Sequence, residues 1–243
     1  MSPRTDISAL LDRASAYYRS AGRFARHFAR GKLNGDPAFR GMLRLGLLEG
    51  RERLLDLGCG QGLLPAWLLA ARECYAADGA HWPQGWPVPP RFTSYAGIEL
   101  GGPDVARARR AFAEMSGAQL EVRQGDIAQL PFPAADAVVI MDVLHFLDYP
   151  SQDDVIRRVR HALPTGGLLM MRIGDAAGGV GFSLSKVTDQ TIAFCRSGTW
   201  MPLHCRTLAQ WQALLAQHQF STLTMPMSEG TPFPNMLILA HAQ

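Results

Sequence analysis

Several features that would assign this 243-residue chain to a specialised class are scarce or missing. It has four cysteines and no CxxC pair, so neither a disulfide framework nor a common zinc motif is indicated. No apolar run approaches the ~20 residues that a membrane-spanning helix needs. The segment that follows Met1 also lacks the apolar core of a signal peptide. We therefore expect a cytoplasmic protein without a membrane span.

Potential zinc ligands come close together once, at Cys195, His204 and Cys205. Their spacing matches no common zinc arrangement, so we predict no metal site. Cys59 lies inside a glycine-rich segment, where we expect it to pack as a small side chain.

The net charge is distributed unevenly. The whole chain carries +3, but residues 1–53 hold 11 Arg and Lys against 5 Asp and Glu, which makes +6. The remainder holds 13 against 16, which makes −3. A basic segment of this kind is typical of contacts with nucleic acid, a membrane surface or an acidic protein. A solvent-exposed helix face explains the same charges without any partner.

The basic segment has the residue spacing of helices. Apolar residues recur at steps of three and four over residues 7–30, which predicts one amphipathic helix with its arginines largely off the apolar stripe. Gly31 is expected to end this helix, and a second helix is expected over 37–48. We interpret residues 1–50 as a helical lid or appendage of a domain at 51–243. The apolar positions of the first helix are Ile7, Leu10, Leu11, Ala14, Tyr17, Tyr18, Ala21, Phe24 and Phe28.

From residue 51 onward, predicted strands and helices alternate. Such alternation is typical of a largely parallel sheet with helices on both faces. A short turn between the last two strands indicates one antiparallel edge strand. The predicted fold class is therefore α/β, a doubly wound and mostly parallel seven-stranded sheet. The predicted strands cover 53–57, 95–100, 120–124, 137–142, 167–173, 220–225 and 235–241, and the predicted helices cover 63–72, 103–115, 152–163 and 207–218.

Residues 78–94 interrupt this alternation with an inserted segment rich in Pro and Trp. Long loops in compact domains are usually functional or disordered. Trp82 and Trp86 could cover an apolar substrate from this loop, or the loop could pack against the neighbouring helix.

The most informative segment is LLDLGCGQG at 54–62, where a strand leads into a glycine-dense turn and then a helix. Glycine permits positive φ and a close approach of backbone to ligand, and such turns present N–H groups. Ligands of doubly wound sheets bind at the carboxyl ends of the strands. Asp56, Glu99, Asp126 and Asp142 all fall at such ends. This series predicts a nucleoside site, with Glu99 on two ribose hydroxyls and Asp126 on an adenine amine.

These segments resemble the class I, Rossmann-like and seven-stranded S-adenosylmethionine (SAM)-dependent methyltransferases. The resemblance covers about residues 50–242 and includes the reversed order of the last two strands. It is carried by LLDLGCGQG (54–62), YAGIEL (95–100), QGDIAQLPFP (124–133), ADAVVIMDVLHFL (135–147) and LPTGGLLMMRI (163–173).

The resemblance implies methyl transfer as the activity and SAM as the cofactor. It implies that the three glycines of the turn admit the methionine part of SAM and that Glu99 binds the ribose. It also implies that Asp126, with Ile127, binds the adenine and that Asp56 orients the amino group. The complete set of predicted cofactor-binding residues is Asp56, Gly58, Cys59, Gly60, Gln61, Gly62, Glu99, Leu100, Asp126, Ile127 and Asp142.

His145 is the predicted catalytic residue. An oxygen nucleophile must usually lose its proton, and histidine suits that task at neutral pH. A buried structural histidine is the alternative. Tyr18 and His27 could instead close over the cofactor or the substrate. Amino-group methyltransferases of the family often carry Asn/Asp-Pro-Pro-Tyr/Phe after the fourth strand, whereas this chain has DVLH at 142–145, which disfavours methylation of DNA adenine or of glutamine.

Four further segments are similar to a methyltransferase subgroup found in aryl polyene and xanthomonadin-type pigment clusters. That resemblance implies methylation of a hydroxyl or carbon of a small aromatic, polyene or polyketide-like acceptor. It also implies an acidic acyl carrier protein as the partner of the basic first helix. The segments are GRFARHFARGKLNGDPAF (22–39), VLHFLDYP (143–150), RIGDAAGG (172–179) and GTPFPNML (230–237).

Three other functions compete with this interpretation. An NAD(P)-dependent oxidoreductase also binds ribose through an acid after its second strand, but GCGQG is not GxGxxG and no Tyr-x-x-x-Lys pair is evident. An RNA methyltransferase would explain the basic helix, although we expect its basic residues to lack the interleaved exposed aromatics of an RNA-binding surface. A non-catalytic SAM-binding module would keep the cofactor residues without turnover.

Overall fold

The protein is built from alternating strands and helices. The computed structural model describes residues 7–77, 79, 82–176, 202–230 and 235–243. The described strands are β1 (Arg53–Leu57), β2 (Ser94–Glu99), β3 (Gln119–Gln124), β4 (Ala137–Met141), β5 (Leu168–Gly174), β6 (Phe220–Pro226) and β7 (Asn235–Ala242). The described helices are α1 (Ser8–Ala16), α2 (Arg23–Gly35), α3 (Pro37–Arg44), α4 (Leu63–Ala77), α5 (Gly102–Phe112), α6 (Tyr149–Ala162) and α7 (Leu208–Gln217).

The strands form one seven-stranded sheet in the order β3-β2-β1-β4-β5-β7-β6. β2 pairs in parallel with β1 and β3, and β4 pairs in parallel with β5. β7 runs antiparallel to both β5 and β6. The predicted fold class is therefore confirmed, and each predicted strand agrees with the structure to within one residue at either end.

The chain divides into two compact units, Met1–Asp126 and Ile127–Gln243. In the first unit, α1 packs against α2 and α4, and α5 packs against β2 and β3. Trp67 of α4 is fully buried, and its Nε1 donates to the carbonyl of Phe39 in α3 at 2.8 Å. The N-terminal helices are thus joined to α4 by buried contacts. The domain boundary expected near residue 50 stays a prediction.

The prediction of one continuous helix over residues 7–30 is wrong. α1 and α2 are separate, and Gly22 between them has a φ of 103°. Only glycine adopts that conformation readily, so the helix cannot run through this position. The spacing of apolar residues continues across Gly22, which is why it did not reveal the break.

The second predicted boundary is also displaced. α2 continues past Gly31, and the next helix begins where the carboxylate of Asp36 accepts a hydrogen bond from the N–H of Ala38 at 3.0 Å. Such an N-cap satisfies a backbone donor that the first turn leaves unpaired. α3 is four residues shorter than the predicted helix over 37–48, and Gly46 follows it with a φ of 62°.

In the second unit, β4 and β5 are almost continuous runs of buried apolar residues, as is typical of central parallel strands. α6 begins three residues earlier than predicted, because the carboxylate of Asp148 accepts from the N–H of Ser151 at 2.9 Å. α7 begins with a capping box formed by Thr207 and Gln210.

The described part of the inserted loop packs against the preceding helix. Trp82 makes an edge contact with Tyr75 of α4 at 5.9 Å between ring centroids, and Trp86 makes one with Trp82 at 5.7 Å. The indole N–H of Trp82 donates to the carbonyl of Pro87 at 3.0 Å. These contacts agree with packing of the loop against the neighbouring helix, one of the two alternatives considered for it.

The predictions of no membrane span and no metal site can be compared with the described residues alone. None of the described helices is both long and apolar enough to cross a membrane. Cys195 lies outside the described residues, and those residues contain no cluster of three or more potential metal ligands. The cytoplasmic location stays a prediction.

Candidate functional site

The glycine turn, residues 58–62, connects β1 to α4. Its three glycines have positive φ angles of 77°, 55° and 76°. A Cβ added to Gly62 would lie 2.5 Å from Cε1 of Phe112, so only glycine allows α5 to pack this closely. A Cβ added to Gly60 would meet no atom within 4 Å. The backbone at Gly60 therefore borders open space.

Glu99, the last residue of β2, is held beside this turn by backbone donors. Its Oε2 accepts from the N–H of Gly60 at 2.9 Å, and its Oε1 accepts from the N–H of Gly101 at 2.8 Å. Each carboxylate oxygen has a second lone pair. The side chain is thus fixed in place and can still accept a pair of hydrogen bonds from neighbouring hydroxyls. Leu100, which follows it, is 64% exposed.

Asp126 lies beside the same strand end. The N–H of Gly125 donates to the backbone carbonyl of Glu99 at 2.9 Å, which continues the pairing of β2 and β3 past the end of β3. Glu99 ends β2 and Asp126 lies just beyond the end of β3, so both acids fall at neighbouring strand ends, as the sequence predicts. Their roles toward ribose and adenine stay predictions.

Asp56 is a buried acid in β1, with 5% of its surface exposed. Its Oδ2 accepts from the hydroxyl of Tyr95 at 2.8 Å. Burial raises the pKa of Asp56 to about 7; the hydrogen bond from Tyr95 opposes this rise, and the charge of Glu99 adds to it. Near neutral pH, the Asp56 carboxyl group is therefore divided between its protonated and ionised forms.

Tyr95 and Gly97 are site residues that the sequence analysis missed. Alternate residues of a strand share one face, so Tyr95, Gly97 and Glu99 face the same side of β2. A Cβ on Gly97 would lie 2.7 Å from Sγ of Cys59, so this glycine makes room for the buried cysteine in the turn. Burial raises the pKa of the Cys59 thiol, which agrees with the predicted packing role. The alternation of strand faces along YAGIE was the sequence signal that could have identified Tyr95 and Gly97.

The N-terminal helices contact the glycine turn directly. The fully buried Tyr18 places its hydroxyl 2.7 Å from the carbonyl oxygen of Gly62 and 3.1 Å from that of Gln61. The Nε2 of Gln61 donates to the carbonyl of Ala25 in α2 at 2.9 Å. The Gln61 side chain thus serves a contact with α2, and its predicted contact with the cofactor stays a prediction.

In the second unit, Asp142 follows β4 with a φ of 56°, which is uncommon for a residue with a Cβ. Its carboxylate pairs with Arg172 of β5, whose Nε lies 2.9 Å from Oδ1 and 3.1 Å from Oδ2. The N–H of Asp142 also donates to the carbonyl of Arg172 at 3.3 Å. Arg172 is 4% exposed and orients this acid, a role that the sequence analysis missed.

His145 lies in a short 3-10 helix, Leu144–Phe146, that follows Asp142. Its ring packs against that of Phe146, with 4.3 Å between centroids. Burial lowers the pKa of His145, and the charge of Asp142 opposes this only in part. Burial therefore favours the neutral imidazole, the form that can accept a proton.

Gln152 organises the backbone around this histidine. It is fully buried, and its Nε2 lies 3.0 Å from the carbonyl oxygens of Leu144 and Leu147 and 2.7 Å from that of His204. Its Oε1 accepts from Nε of Arg206 at 2.7 Å. This side chain links the turn that carries the candidate base to the segment before α7.

Ile127 opens the second unit and is 6% exposed. Its carbonyl accepts from Nη2 of Arg158 in α6 at 2.6 Å, and the carbonyl of Leu130 accepts from Nη1 at 2.7 Å. The same guanidinium lies over the ring of Phe132 at 4.3 Å. Residues 127–132 are thus held by one arginine. The predicted approach of Ile127, Asp142 and His145 to a cofactor stays a prediction.

Residues 55–169 match a family profile described as a methyltransferase domain. An O-methyltransferase family protein from Burkholderia thailandensis has a similar structure, with a TM-score of 0.63 at 15% identity over 93% of this chain and 62% of that one. The chain has the class I methyltransferase fold. The magnesium protoporphyrin IX methyltransferase from Synechocystis PCC 6803, solved with bound SAH, shares this methyltransferase fold, with a TM-score of 0.57 at 19% identity over 97% of this chain and 95% of that one.

One curated protein is similar in sequence to part of this chain. Acetylserotonin O-methyltransferase from Mus musculus is 33% identical over 142 residues, which are 56% of this chain. The chain spans 35% of the length of that relative. The glycine turn, Glu99, Asp126, Asp142 and His145 all lie within the part of the methyltransferase fold that matches the family profile.

Proposed function

We propose that the protein is a methyltransferase that takes its methyl group from SAM and transfers it to a hydroxyl group of a small aromatic acceptor. The observation that carries the proposal is the Glu99 carboxylate, fixed by the N–H groups of Gly60 and Gly101 beside the glycine turn. The mouse relative supports the choice of a hydroxyl acceptor, because it is named as an acetylserotonin O-methyltransferase. A carbon of a polyene or polyketide-like acceptor is the alternative target.

The residues around the glycine turn fit SAM. Glu99 would accept from the two ribose hydroxyls, Asp126 would accept from the adenine amine, and the turn would hold the methionine end. The open space at Gly60 and the nearby buried Asp56 suit a backbone approach by a ligand that carries a positive charge. SAM supplies an activated methyl group on a sulfonium centre.

His145 is the proposed base. Its neutral imidazole would take the proton of the acceptor hydroxyl, and the charge of Asp142 would stabilise the imidazolium that forms. We expect His145→Asn to lower kcat by about a hundredfold or more, the usual contribution of a general base, with little change in SAM affinity. An unchanged kcat would instead favour the structural alternative for this histidine.

The function is tested by incubating the protein with SAM and a panel of phenols and hydroxylated aromatic acids. Formation of S-adenosylhomocysteine together with a methylated product would support the proposal. SAM binding without turnover on any acceptor would favour a non-catalytic module, and binding of NAD(H) in place of SAM would favour an oxidoreductase.

The acceptor is proposed to arrive on an acyl carrier protein, an acidic partner that suits the surface of α2. Phe24 and Phe28, which the residue spacing places among the apolar positions of the first helix, are 65% and 38% exposed, and the buried residues of α2 are Ala25, Ala29 and Leu33. The helix contains no acidic residue and four Arg and Lys residues. An acidic protein surface would complement this charge and cover the two rings.

The same exposed rings remove one argument against an RNA acceptor, because aromatics do alternate with arginines on α2. The Phe24 ring, however, already stacks on Phe28 with 6.1 Å between centroids and lies 4.9 Å from the Arg107 guanidinium. A base needs an open ring face to stack on, so these contacts favour a protein partner.

The carrier proposal is tested by comparing one acyl acceptor on a carrier protein with the same acceptor as a small thioester. Arg26→Glu should raise the KM for the carrier-bound form and leave that for the thioester unchanged. Arg91→Glu makes the same charge change on an exposed loop residue and serves as the control. Equal KM values for both acceptor forms in the unmodified protein would contradict the proposal.

A further inference from the structure

We propose that Tyr18 and Gln61 are positioning residues that hold the glycine turn in its SAM-binding conformation. The N-terminal helices would then be a structural part of the cofactor site. The inference rests on the proposed function for its ligand and on contacts within the first unit for its geometry.

The glycine turn has little conformational restriction of its own. Three of its five residues are glycines in the left-handed region, where they have no side chain to restrict them. Glycine has more conformational freedom to lose than any other residue, so this turn requires anchors from its surroundings. β2 supplies one anchor, because the carbonyl of Ile98 accepts from the N–H of Gly58 at 2.8 Å and from that of Cys59 at 3.2 Å.

The second anchor comes from the N-terminal helices. Tyr18, in the connection between α1 and α2, directs its hydroxyl to the carbonyl oxygens of Gly62 and Gln61. Burial raises the pKa of Tyr18, so its hydroxyl stays protonated and remains a donor. The Gln61 side chain, 2% exposed, donates in turn to the carbonyl of Ala25. The turn is thus bound on one side by β2 and on the other by α1 and α2.

Anchoring of the turn affects SAM binding through the fraction of molecules whose turn has the binding conformation. If the turn leaves its bound shape for part of the time, the apparent Kd for SAM rises by the inverse of the competent fraction. Tyr18→Phe keeps the ring in place and removes only the donor. We expect it to raise the Kd for SAM by up to about tenfold, the full factor by which a lost buried hydrogen bond changes the equilibrium of the turn.

Tyr17 provides a matched control. It is the neighbouring residue, it is also buried, and its hydroxyl donates to Oε1 of Glu73 in α4 at 2.6 Å. Tyr17→Phe therefore removes the same chemical group from the same connection without touching the turn. We expect it to lower the free energy of unfolding and to leave the Kd for SAM unchanged.

The experiment measures the Kd for SAM by calorimetry and amide hydrogen exchange of the peptide covering residues 58–62. Tyr18→Phe and Gln61→Leu should both weaken SAM binding and speed exchange in this peptide, and Tyr17→Phe should do neither. In turnover, the KM for SAM should rise more than kcat falls. If Tyr18→Phe shows the same exchange rate in residues 58–62 and the same Kd for SAM as the wild type, the inference is overturned.

The exchange measurement also separates this inference from the proposed function. If the unmodified protein fails to bind SAM, the proposed function fails. Faster exchange of the turn in Tyr18→Phe, but not in Tyr17→Phe, would still support the anchoring. Equal exchange in both variants would refute it independently of any ligand.

Discussion

Asp56→Asn should stabilise the folded protein at alkaline pH while weakening its binding of SAM. Burial raises the pKa of Asp56 from its ordinary value of 3.8 to about 7. The folded protein therefore holds this proton more tightly than the unfolded chain does. Its contribution to stability is fully present below about pH 4, is lost as the pH rises through 7, and does not change further above that.

The size of this effect follows from the displacement of the pKa. About three pH units, at 1.36 kcal/mol each, correspond to a penalty on the order of 4 kcal/mol once Asp56 is ionised. Asparagine has nearly the same shape and carries no charge, and its Oδ1 can still accept from the hydroxyl of Tyr95. At pH 8.5 the variant should therefore be more stable than the wild type by a few kcal/mol, and near pH 4 the difference should be small.

The assay is urea unfolding of both proteins at several pH values between 4 and 8.5. The difference between the two free energies of unfolding gives the contribution of Asp56, because all other titratable groups are present in both proteins. Asp12→Asn removes a carboxylate from a side chain that is 65% exposed and paired with Arg30, and it serves as the control for loss of a surface charge. A difference between Asp56→Asn and the wild type that does not vary with pH would refute the reasoning.

Three further substitutions test packing and polar contacts by urea unfolding. Gly62→Ala would place a Cβ 2.5 Å from the Phe112 ring at a φ of 76°, so it should cost about 2–4 kcal/mol; an unchanged midpoint would contradict the close packing. Gln152→Ala removes the hydrogen bonds of a fully buried amide and should cost about 3 kcal/mol, whereas a loss below about 0.5 kcal/mol would mean that water replaces them. Arg172→Met leaves the half-buried Asp142 carboxylate without its ion pair and should cost about 1–3 kcal/mol, and a more stable variant would show that the pair is not needed for folding.

The strands and the acids at their ends could be predicted from sequence because both have local signals. Buried parallel strands are short apolar runs, and a polar residue that follows such a run falls at a strand end whatever the rest of the chain does. That reasoning located Glu99 and Asp126, which the structure places at neighbouring strand ends. The glycines of the turn could also be recognised from sequence, because they directly follow the first apolar strand.

Contacts between distant residues had no such signal. The bond from Tyr18 to Gly62 joins residues 44 apart in sequence, and that from Arg172 to Asp142 joins residues 30 apart. Helical periodicity was misleading at Phe24, because the three- and four-residue spacing continues through Gly22, the residue directly before α2. Ala25, Ala29 and Leu33 form the buried stripe of α2, which leaves its two phenylalanines partly in solvent.

The central claim is that Glu99 and the glycine turn bind SAM. Calorimetric titration of the wild type and of Glu99→Gln with SAM, after thermal unfolding shows that both are folded, tests it most directly. We expect the wild type to bind one SAM per chain and the variant to bind it at least about tenfold more weakly, because a charged acceptor for two hydroxyls is lost. Absence of SAM binding by the folded wild type, or equal affinity in the variant, would contradict the account.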